Sequence, residues 1–219
     1  MEEELIIQST EDGSQTIYIP SLDEHYHSTK GALAESRHVY IDTCWRKAAA
    51  EFVAVRVFEV GFGTGLNAAL TAEEALKQCK PTIYYSVELH PLDTSLTDTL
   101  AYDSLTPYFS AVNKAEWGRE VEINPYFKLV KIVDNFLTMQ LPGNINAIYY
   151  DAFAPEKQPE MWDDDVIRGL YDCMTPGGAL ATYCAKGIIR RRLQSVGFTV
   201  ERLQGPPGGK REILRAVKK

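Results

Sequence analysis

Cysteine is scarce in this 219-residue chain, and the arrangement of the four cysteines argues against two kinds of site. They are far apart and form no C-x-x-C pair, at Cys44, Cys79, Cys173 and Cys184. Scattered thiols predict reduced cysteines in a cytoplasmic protein, without a disulfide framework. His25, His27 and His38 are close in sequence but lack the accompanying cysteine or acid cluster of a metal site. We therefore expect no bound metal.

Long hydrophobic runs and a basic amino terminus are also missing. No apolar stretch approaches the roughly 20 residues that cross a bilayer. The chain begins Met-Glu-Glu-Glu, where a signal peptide would be basic. A hydrophobic content of 45% and a charged content of 24% are ordinary for a globular protein, and the length suits one sizeable core. The sequence predicts a cytoplasmic protein that does not associate with membranes.

Glycines, in contrast, are concentrated where a strand should meet a helix. Residues 55–67 read Val-Arg-Val-Phe-Glu-Val-Gly-Phe-Gly-Thr-Gly-Leu-Asn, so an apolar run containing Glu59 leads into Gly61, Gly63 and Gly65. Such glycines let the backbone approach a ligand that a Cβ atom would repel. The following helix offers free N–H groups to an anion. Strand, turn and helix predict a nucleotide-binding corner.

The spacing of these glycines separates two classes of ligand. NAD-binding folds carry G-x-G-x-x-G, whereas this chain has G-x-G-x-G preceded by the acidic Glu59, which suits S-adenosylmethionine better. A second acid, Glu88, ends the next predicted strand, where a carboxylate can accept both hydroxyls of a ribose. Because NAD enzymes use an acid at the same place, the glycine spacing decides in favour of S-adenosylmethionine.

The chain as a whole alternates strands and helices. An Asp-Gly turn predicts a hairpin of strands 5–8 and 16–19, and alanines favour a helix over 31–50. Further strands are predicted at 54–60, 82–88, 127–133, 145–151, 179–184, 198–203 and 211–217, with helices at 66–79, 92–118, 160–174 and 187–196. The order is typical of a Rossmann-like α/β methyltransferase, with a mostly parallel seven-stranded sheet and a carboxyl-terminal antiparallel hairpin. We expect residues 51–219 to form this core and residues 1–50 to be an extension packed on it.

Two further strand ends carry candidate site residues. Asp151 ends the strand at 145–151, which should adjoin the glycine-turn strand and place the carboxylate beside the reactive centre of the cofactor. There it could hold an amine and relay its proton. Asp134, with Asn135 beside it, follows the strand at 127–133, where contact with adenine and a helix N-cap are both consistent with the position.

Charge is unevenly distributed along the chain. The net charge is −7, yet the segment from Lys186 to the end contains ten basic and two acidic residues. A basic segment on an acidic body is consistent with binding to a polyanion and equally with a solvated surface. If it binds a polyanion, Lys186, Arg190, Lys210 and Arg211 are the candidate phosphate contacts.

Four motifs in order resemble one methyltransferase family. They are Asp23-Glu24-His25-Tyr26-His27-Ser28, followed by Gly31-Ala32 and Glu35-Ser36-Arg37-His38-Val39-Tyr40; the loop at 58–67; Asp151-Ala152-Phe153-Ala154-Pro155 with Pro159-Glu160-Met161-Trp162; and Gly208-Gly209-Lys210-Arg211-Glu212. The family is the methyltransferase part of the bifunctional enzyme that makes 5-methylaminomethyl-2-thiouridine in tRNA. The likeness extends over nearly the whole chain. The flavin-dependent oxidase that forms the other half of that enzyme has no counterpart here, so the resemblance predicts a stand-alone methyltransferase.

The resemblance implies a reaction and roles for particular residues. The reaction is S-adenosylmethionine-dependent N-methylation of the 5-aminomethyl group of (2-thio)uridine at the wobble position of tRNA, with Asp151 as the catalytic residue that anchors the amine. The extruded base would stack on Tyr150, Phe153 or Trp162. The resemblance also assigns Phe62, Asn67, Tyr26, Gly31 and Glu35 to the cofactor, the last three at its methionine end.

The implied partners are the anticodon stem-loop of tRNA and a separate flavin-dependent oxidase or other upstream modification enzyme. Two other functions remain open. An aminopropyltransferase for polyamines would share the fold and the strand-end aspartate, and an acidic body suits a polycationic substrate. A non-catalytic cofactor-binding interaction module is the second. The basic segment with Lys210 and Arg211 favours tRNA over a polyamine, and the intact segment around Asp151 argues against the non-catalytic module.

Overall fold

The computed structural model describes residues 5–102 and 105–219, and it begins with a small antiparallel sheet. The predicted hairpin is present as β1 (Ile6–Ser9) and β2 (Gln15–Ile19), with Ile7 opposite Ile17. A third strand that the sequence did not predict, β3 (Glu24–His25), pairs with β2. The acidic amino terminus, residues 1–4, lies outside the described residues.

The predicted helix over 31–50 is present as three consecutive helical segments. α1 (Ala32–Ser36) leads into a π-helix at Arg37–Trp45, and α2 (Arg46–Glu51) follows. The π-helix packs on the strands of the main sheet and buries Tyr40 and Trp45 completely or nearly so. A π-helix is rare and is often found at functional sites.

The main sheet has eight strands, one more than predicted. They are β4 (Val55–Val60), β5 (Thr82–Glu88), β6 (Glu120–Asn124), β7 (Phe127–Val133), β8 (Ile145–Tyr150), β9 (Met174–Thr182), β10 (Thr199–Gln204) and β11 (Glu212–Val217). Their order is β10-β11-β9-β8-β4-β5-β7-β6. The central five strands are parallel, and β6, β10 and β11 pair antiparallel, as predicted for the carboxyl-terminal hairpin.

The additional strand and two element boundaries correct the sequence predictions. β6 contains Glu120 and Glu122, which are poor strand formers, but pairs with β7 as an edge strand with an irregular register. The helical region predicted at 92–118 is confined to α4 (Thr94–Thr97) and α5 (Thr106–Lys114), with residues 103 and 104 outside the described part. The strand predicted at 179–184 instead begins at Met174, so the Thr-Pro-Gly-Gly segment at 175–178 lies inside β9. The register of β9 with β8 is irregular there.

Helices cover both faces of the main sheet. α3 (Leu66–Lys77), α5 and the π-helix share one apolar core with Val55 and Val57 of β4. A short 3₁₀ helix (Pro159–Trp162) and α6 (Asp164–Cys173), which together replace the helix predicted at 160–174, share the other core with α7 (Gly187–Ser195). Phe58 and Val60 of β4 face this second core, because successive strand residues point to opposite faces. Within the described ranges, every helix is too short or too polar to cross a bilayer.

Candidate active site

A cavity of about 890 Å³ opens where β4, β5, β7 and β8 end. Ligands of open α/β sheets bind at this edge, and the volume is in the range of small-molecule sites. The amino-terminal extension and the turn between β10 and β11 form its sides. β8 pairs with β4, with Tyr150 opposite Val60, so the strand that ends before Asp151 adjoins the glycine-turn strand as predicted.

The glycine loop has the backbone geometry that its composition predicts. Gly61, Gly63 and Gly65 all have positive φ, at 87°, 52° and 83°. A Cβ atom on Gly61 would meet only the Asp151 carbonyl oxygen within 4 Å, at 3.9 Å, so a side chain there would extend into the cavity. Gly65 is the N-cap of α3 and packs under Phe62, whose ring a Cβ atom would approach to 2.9 Å. Gly61, Phe62 and Gly63 line the cavity, whereas Gly65 supports the loop from behind.

Glu88 is fixed at the end of β5 by two main-chain groups. Its Oε2 accepts a hydrogen bond from the Gly63 N–H at 3.1 Å, and its Oε1 accepts one from the His90 N–H at 3.0 Å. A carboxylate oxygen can accept more than one hydrogen bond, so both oxygens keep capacity for hydroxyl donors in the cavity. This is the arrangement that a ribose diol requires.

Asp151 lines the cavity directly after β8 and is held on both carboxylate oxygens. The Tyr40 hydroxyl donates to Oδ1 at 2.6 Å, and the Asn67 side-chain amide donates to Oδ2 at 3.0 Å. Burial raises the pKa of Asp151 to about 6, while these two hydrogen bonds lower it. The carboxylate is therefore a better proton acceptor than an exposed aspartate and is still mostly ionised at pH 7.

Glu59 corrects one cofactor assignment. Its side chain is completely buried, and it does not line the cavity. Its Oε2 accepts a hydrogen bond from Ser86 Oγ at 2.7 Å, and burial raises the pKa of Glu59 to about 8. Glu59 is thus a neutral acid within the sheet at pH 7, because its place in β4 turns it toward the core that contains Asn67 and Tyr84.

Asp134 and Asn135 line the cavity at the end of β7. Asn135 Oδ1 accepts a hydrogen bond from the Leu137 N–H at 3.0 Å, which fixes a turn. Since a turn and not a helix follows, the helix N-cap interpretation of Asp134 is wrong. Contact with the adenine end of the cofactor stays a prediction for both residues.

The amino-terminal motif contributes two of its three predicted cofactor residues to the cavity wall. Tyr26 packs against the glycine loop, 3.0 Å from where a Gly63 Cβ atom would lie, and Glu35 Oε2 accepts a hydrogen bond from the Ser28 N–H at 3.0 Å. Gly31 does not line the cavity. It is the N-cap of α1, and a Cβ atom there would lie 2.6 Å from the Asp12 carboxylate, so packing explains this glycine.

Two of the aromatic residues predicted to stack on a base are buried in the second core. Tyr150 and Trp162 are at most 1% exposed, and their rings meet edge to face at 4.9 Å. The Tyr150 hydroxyl donates to the Met161 carbonyl oxygen, and the Trp162 indole donates to the Phe153 carbonyl oxygen at 2.9 Å. Neither ring can reach a base in the cavity. Phe153 does line it, edge-on to Tyr26 at 6.1 Å.

Three of the four predicted phosphate contacts lie at the cavity. Lys186, Lys210 and Arg211 line it, whereas Arg190 does not. Lys186 forms an ion pair with Glu156. The Lys210 ammonium lies 3.5 Å from the centre of the Tyr183 ring and 3.8 Å from Glu35 Oε1.

Sequence reasoning missed Tyr40 as a site residue. It lies in the predicted helix over 31–50, 111 positions before Asp151, and no local motif indicates their contact. The histidines also have other partners: His25 bonds to Gln8, His27 to Thr64 and His38 to the Gln204 carbonyl oxygen. Across the described ranges, no group of three or more His, Cys, Asp or Glu side chains could hold a metal ion.

Comparison with known proteins identifies the class to which this cavity belongs. Residues 115–219 match the family described as S-adenosyl-L-methionine-dependent methyltransferase. The match covers just under half of the chain and includes Asp151. S-adenosylmethionine, the cofactor that the glycine spacing predicted, is also the cofactor of the family that these residues match.

Individual relatives resemble the methyltransferase over most of its length. The tRNA 5-methylaminomethyl-2-thiouridine biosynthesis bifunctional protein MnmC of Cupriavidus necator is 33% identical over 91% of this chain, and that of Ectopseudomonas mendocina 34% over 89%. The chain spans about a third of the length of these relatives, 32% of each. The crystal structure of MnmC2 from Aquifex aeolicus has a TM-score of 0.85 at 24% identity, over 100% of this chain and 72% of that one. Spermidine synthase from Thermotoga maritima, with a TM-score of 0.57 at 15% identity over 100% of this chain and 75% of that one, also shares the fold.

The wall of the cavity fits the cofactor of the methyltransferase. Glu88 has carboxylate oxygens at the cavity that can accept the hydroxyls of a ribose, and the absence of a side chain at Gly61 leaves room close to the backbone. Glu35 is a carboxylate that suits the ammonium group of the methionine end. Asp151 lines the same cavity.

Proposed function

We propose that this methyltransferase methylates the primary amine of 5-aminomethyl-(2-thio)uridine at the wobble position of tRNA, producing 5-methylaminomethyl-(2-thio)uridine. The observation that carries the proposal is the carboxylate of Asp151, fixed by Tyr40 and Asn67 at the wall of the cofactor cavity. The names of the MnmC relatives support the choice of nucleoside, since about nine-tenths of the chain aligns with them.

Asp151 has two tasks in this reaction. Its carboxylate pairs with the protonated amine and orients the nitrogen toward the methyl group, and positioning of this kind can contribute roughly 7–11 kcal/mol. It also accepts a proton from the nitrogen, since an alkylamine is mostly protonated at pH 7 and must be neutral to attack. When bound, S-adenosylmethionine supplies the electrophilic methyl group. The raised pKa of Asp151, about 6, makes the carboxylate a stronger proton acceptor at little loss of ionisation.

Phe153, Lys210 and Arg211 are the residues that we assign to the tRNA. Phe153 lines the cavity and can stack on a base that has left the anticodon stack. Lys210 and Arg211 lie at the same cavity on the turn between β10 and β11, where they can meet backbone phosphates. As part of this proposal, a separate flavin-dependent oxidase or another upstream enzyme supplies the aminomethyl group.

The proposal is tested by methyl transfer into tRNA. Bulk tRNA from cells that lack the activity is incubated with labelled S-adenosylmethionine and the protein, and the nucleosides are then separated. We expect label in 5-methylaminomethyl-(2-thio)uridine, and we expect Asp151→Ala to lose about 10²–10⁴-fold in turnover while cofactor affinity stays near wild type. Label in another nucleoside, or none with wild-type protein, contradicts the proposed substrate.

A polyamine substrate is the competing candidate, favoured by the acids Glu24, Glu35 and Asp151 in the cavity. The likeness to spermidine synthase concerns the fold alone. Lys186, Lys210 and Arg211 on the same wall would repel a polycation. Parallel reactions with putrescine and decarboxylated S-adenosylmethionine decide between the two, and we expect no aminopropyl transfer.

A further inference from the structure

Asp151 is hydrogen-bonded to a side chain of the amino-terminal extension, Tyr40. Tyr40, from the π-helix, is 2% exposed and donates the 2.6 Å hydrogen bond to Asp151 Oδ1. Its ring packs on the ring of Tyr149 with centroids 5.0 Å apart. The phenol is thus held in one orientation by the core, and its hydroxyl points at the carboxylate.

The protonation state of Tyr40 makes it a permanent donor. Burial, and then the charge of Asp151, raise the pKa of Tyr40 well above its usual value of about 10. The hydroxyl therefore keeps its proton at neutral pH. A hydrogen bond from a neutral donor to a carboxylate favours the ionised form of the acid.

We propose that Tyr40 is a positioning residue that acts through Asp151, holding Oδ1 so that the remaining lone pairs of the carboxylate face the substrate amine. This inference rests on the proposed function of Asp151. Tyr40 donates a hydrogen bond to one carboxylate oxygen at 2.6 Å, and Asn67 donates one to the other at 3.0 Å. The two hydrogen bonds together fix the plane of the carboxylate. Rotation of the carboxylate would break one of these bonds, so the amine meets a preorganised partner.

Several titratable groups surround Asp151, and only some of them favour its ionised form. Glu35 from α1 opposes a negative charge on Asp151, and Lys210 from the β10–β11 turn supports it. The buried Glu59 from β4, whose pKa burial raises to about 8, is neutral at pH 7. The phenols of Tyr84 and Tyr183 are neutral at pH 7, because burial raises the pKa of both. Burial and Glu35 disfavour a charge on Asp151, and the hydrogen bonds from Tyr40 and Asn67 are the direct contacts that favour it.

The π-helix explains how a residue so far away in sequence reaches this point. Its wider turns at Arg37–Trp45 pack on β8 and β9, and Tyr40 lies beside the strand that ends before Asp151. π-Helical turns of this kind recur at functional sites because they redirect side chains that a regular helix would point elsewhere.

The test replaces Tyr40 by phenylalanine and follows Asp151 in two ways. In the cofactor-free protein, the carboxyl carbon of Asp151 is titrated by NMR with ¹³C-labelled aspartate, assigned through Asp151→Asn. Loss of a hydrogen bond to a charged group should raise the titration midpoint by about 1–2 pH units. The acid limb of the profile of kcat/KM for tRNA should move by the same amount, giving a roughly 2–10-fold loss at pH 7 that recovers by pH 9. Affinity for S-adenosylmethionine should not change.

Tyr149→Phe is the matched control. Tyr149 is an equally buried phenol in the same core, but its hydroxyl bonds to Thr71 at 3.0 Å. This variant should leave both midpoints at wild-type values. If Tyr40→Phe does not fold, 3-fluorotyrosine at position 40, a stronger donor, should move both midpoints to lower pH. Unmoved midpoints in a folded variant overturn the role of Tyr40.

The outcome for Asp151→Ala separates this inference from the proposed function. If Asp151→Ala is inactive and Tyr40→Phe keeps the wild-type profile, only the positioning role fails. If Asp151→Ala remains active, the proposed function of Asp151 fails, whatever Tyr40 does.

Discussion

At the scale of single residues, Glu59 is an acid that the fold keeps neutral. It is completely buried, and Ser86 supplies its hydrogen bond at 2.7 Å. In the described part of the chain its second carboxylate oxygen has no hydrogen-bond partner. An ionised carboxylate would be costly there, whereas a protonated one is tolerated. Burial accordingly raises the pKa of Glu59 to about 8.

The first prediction is that Glu59 makes the protein less stable as the pH rises. The unfolded chain releases this proton near pH 4.3, while the folded chain keeps it to about pH 8. The folded state therefore binds more protons across this window, and the free energy of unfolding falls with pH through it. Between pH 6.5 and 8 we expect Tm to fall by several degrees, since each kcal/mol moves Tm by about 2–4 °C at this length.

Thermal denaturation of Glu59→Gln tests this dependence. The amide cannot ionise, so its Tm should change much less over the same interval. Glu116→Gln, which alters an exposed acid paired with Arg119, should retain the wild-type slope. Equal slopes for all three proteins would show that Glu59 is already ionised in the folded state.

The second prediction concerns Glu88. We expect Glu88→Ala to weaken binding of S-adenosylmethionine by about 10–150-fold in calorimetry, because a hydrogen bond to a charged group contributes about 1.5–3 kcal/mol. Glu120→Ala, on the β6 edge, should bind normally. NAD should bind no more tightly than S-adenosylmethionine, and unchanged affinity in Glu88→Ala would remove Glu88 from the ribose site.

The site could be read from the sequence only where residues lie close to a strand end. Gly61, Glu88 and Asp151 were placed correctly because the carboxyl ends of parallel strands converge at one edge. The prediction for Tyr150 is wrong because successive strand residues point to opposite faces of the sheet. The ring of Tyr150 therefore packs in the second core and does not line the cavity. Tyr40 was not found, since its contact with Asp151 joins residues with no pattern in common.

At the scale of elements, sequence patterns predicted the central strands and the carboxyl-terminal hairpin but not the edge strand β6. β5 and β7 have their predicted bounds because each is a run rich in the β-branched and aromatic residues that favour strands. β6 was missed because an exposed edge strand with two glutamates has no such run. The π-helix could not be told from an α-helix, since residues that favour one backbone pattern also permit the other.

The turn between β10 and β11 supports a third prediction. A Cβ atom on Gly205 would lie 1.7 Å from the Lys210 carbonyl oxygen. The clash is with backbone, so no side-chain rotation can relieve it. We expect Gly205→Ala to lower the free energy of unfolding by about 1–3 kcal/mol, as overpacked sites do, and to weaken tRNA binding by displacing Lys210 and Arg211.

Gly143→Ala is the control for Gly205→Ala, because a Cβ atom at Gly143 would contact no atom within 4 Å. It should unfold and bind tRNA like the wild type in denaturant titrations and binding assays. If Gly205→Ala matches it in both, the turn tolerates a different backbone path, and it does not fix the two cations.

At the scale of the whole molecule, the basic carboxyl-terminal segment is partly neutralised by the acidic body. Lys186 pairs with Glu156, and Arg192 lies 3.7 and 3.4 Å from the carboxylates of Asp163 and Asp164. Arg211, in contrast, is exposed at the cavity and forms no ion pair with the described residues. A cation without a protein partner can bind a phosphate without first breaking a contact. We therefore expect Arg211 to be a better phosphate contact than Lys186.

The last prediction is that Lys210→Ala combined with Arg211→Ala raises the KM for tRNA and flattens its salt dependence. Each phosphate contact releases counterions, so removing one should reduce the slope of log affinity against log salt by roughly one unit or less. Affinity for S-adenosylmethionine should stay near wild type.

Arg119→Ala with Lys128→Ala, on the far edge at β6 and β7, removes the same charge and should leave the KM for tRNA and its salt dependence unchanged. Equal losses in the two double variants would mean that tRNA responds only to net charge, and wild-type binding in the first would make the basic segment a solvated surface. Arg211→Ala alone should raise the KM for tRNA more than Lys186→Ala does, because Lys186 already forms an ion pair with Glu156.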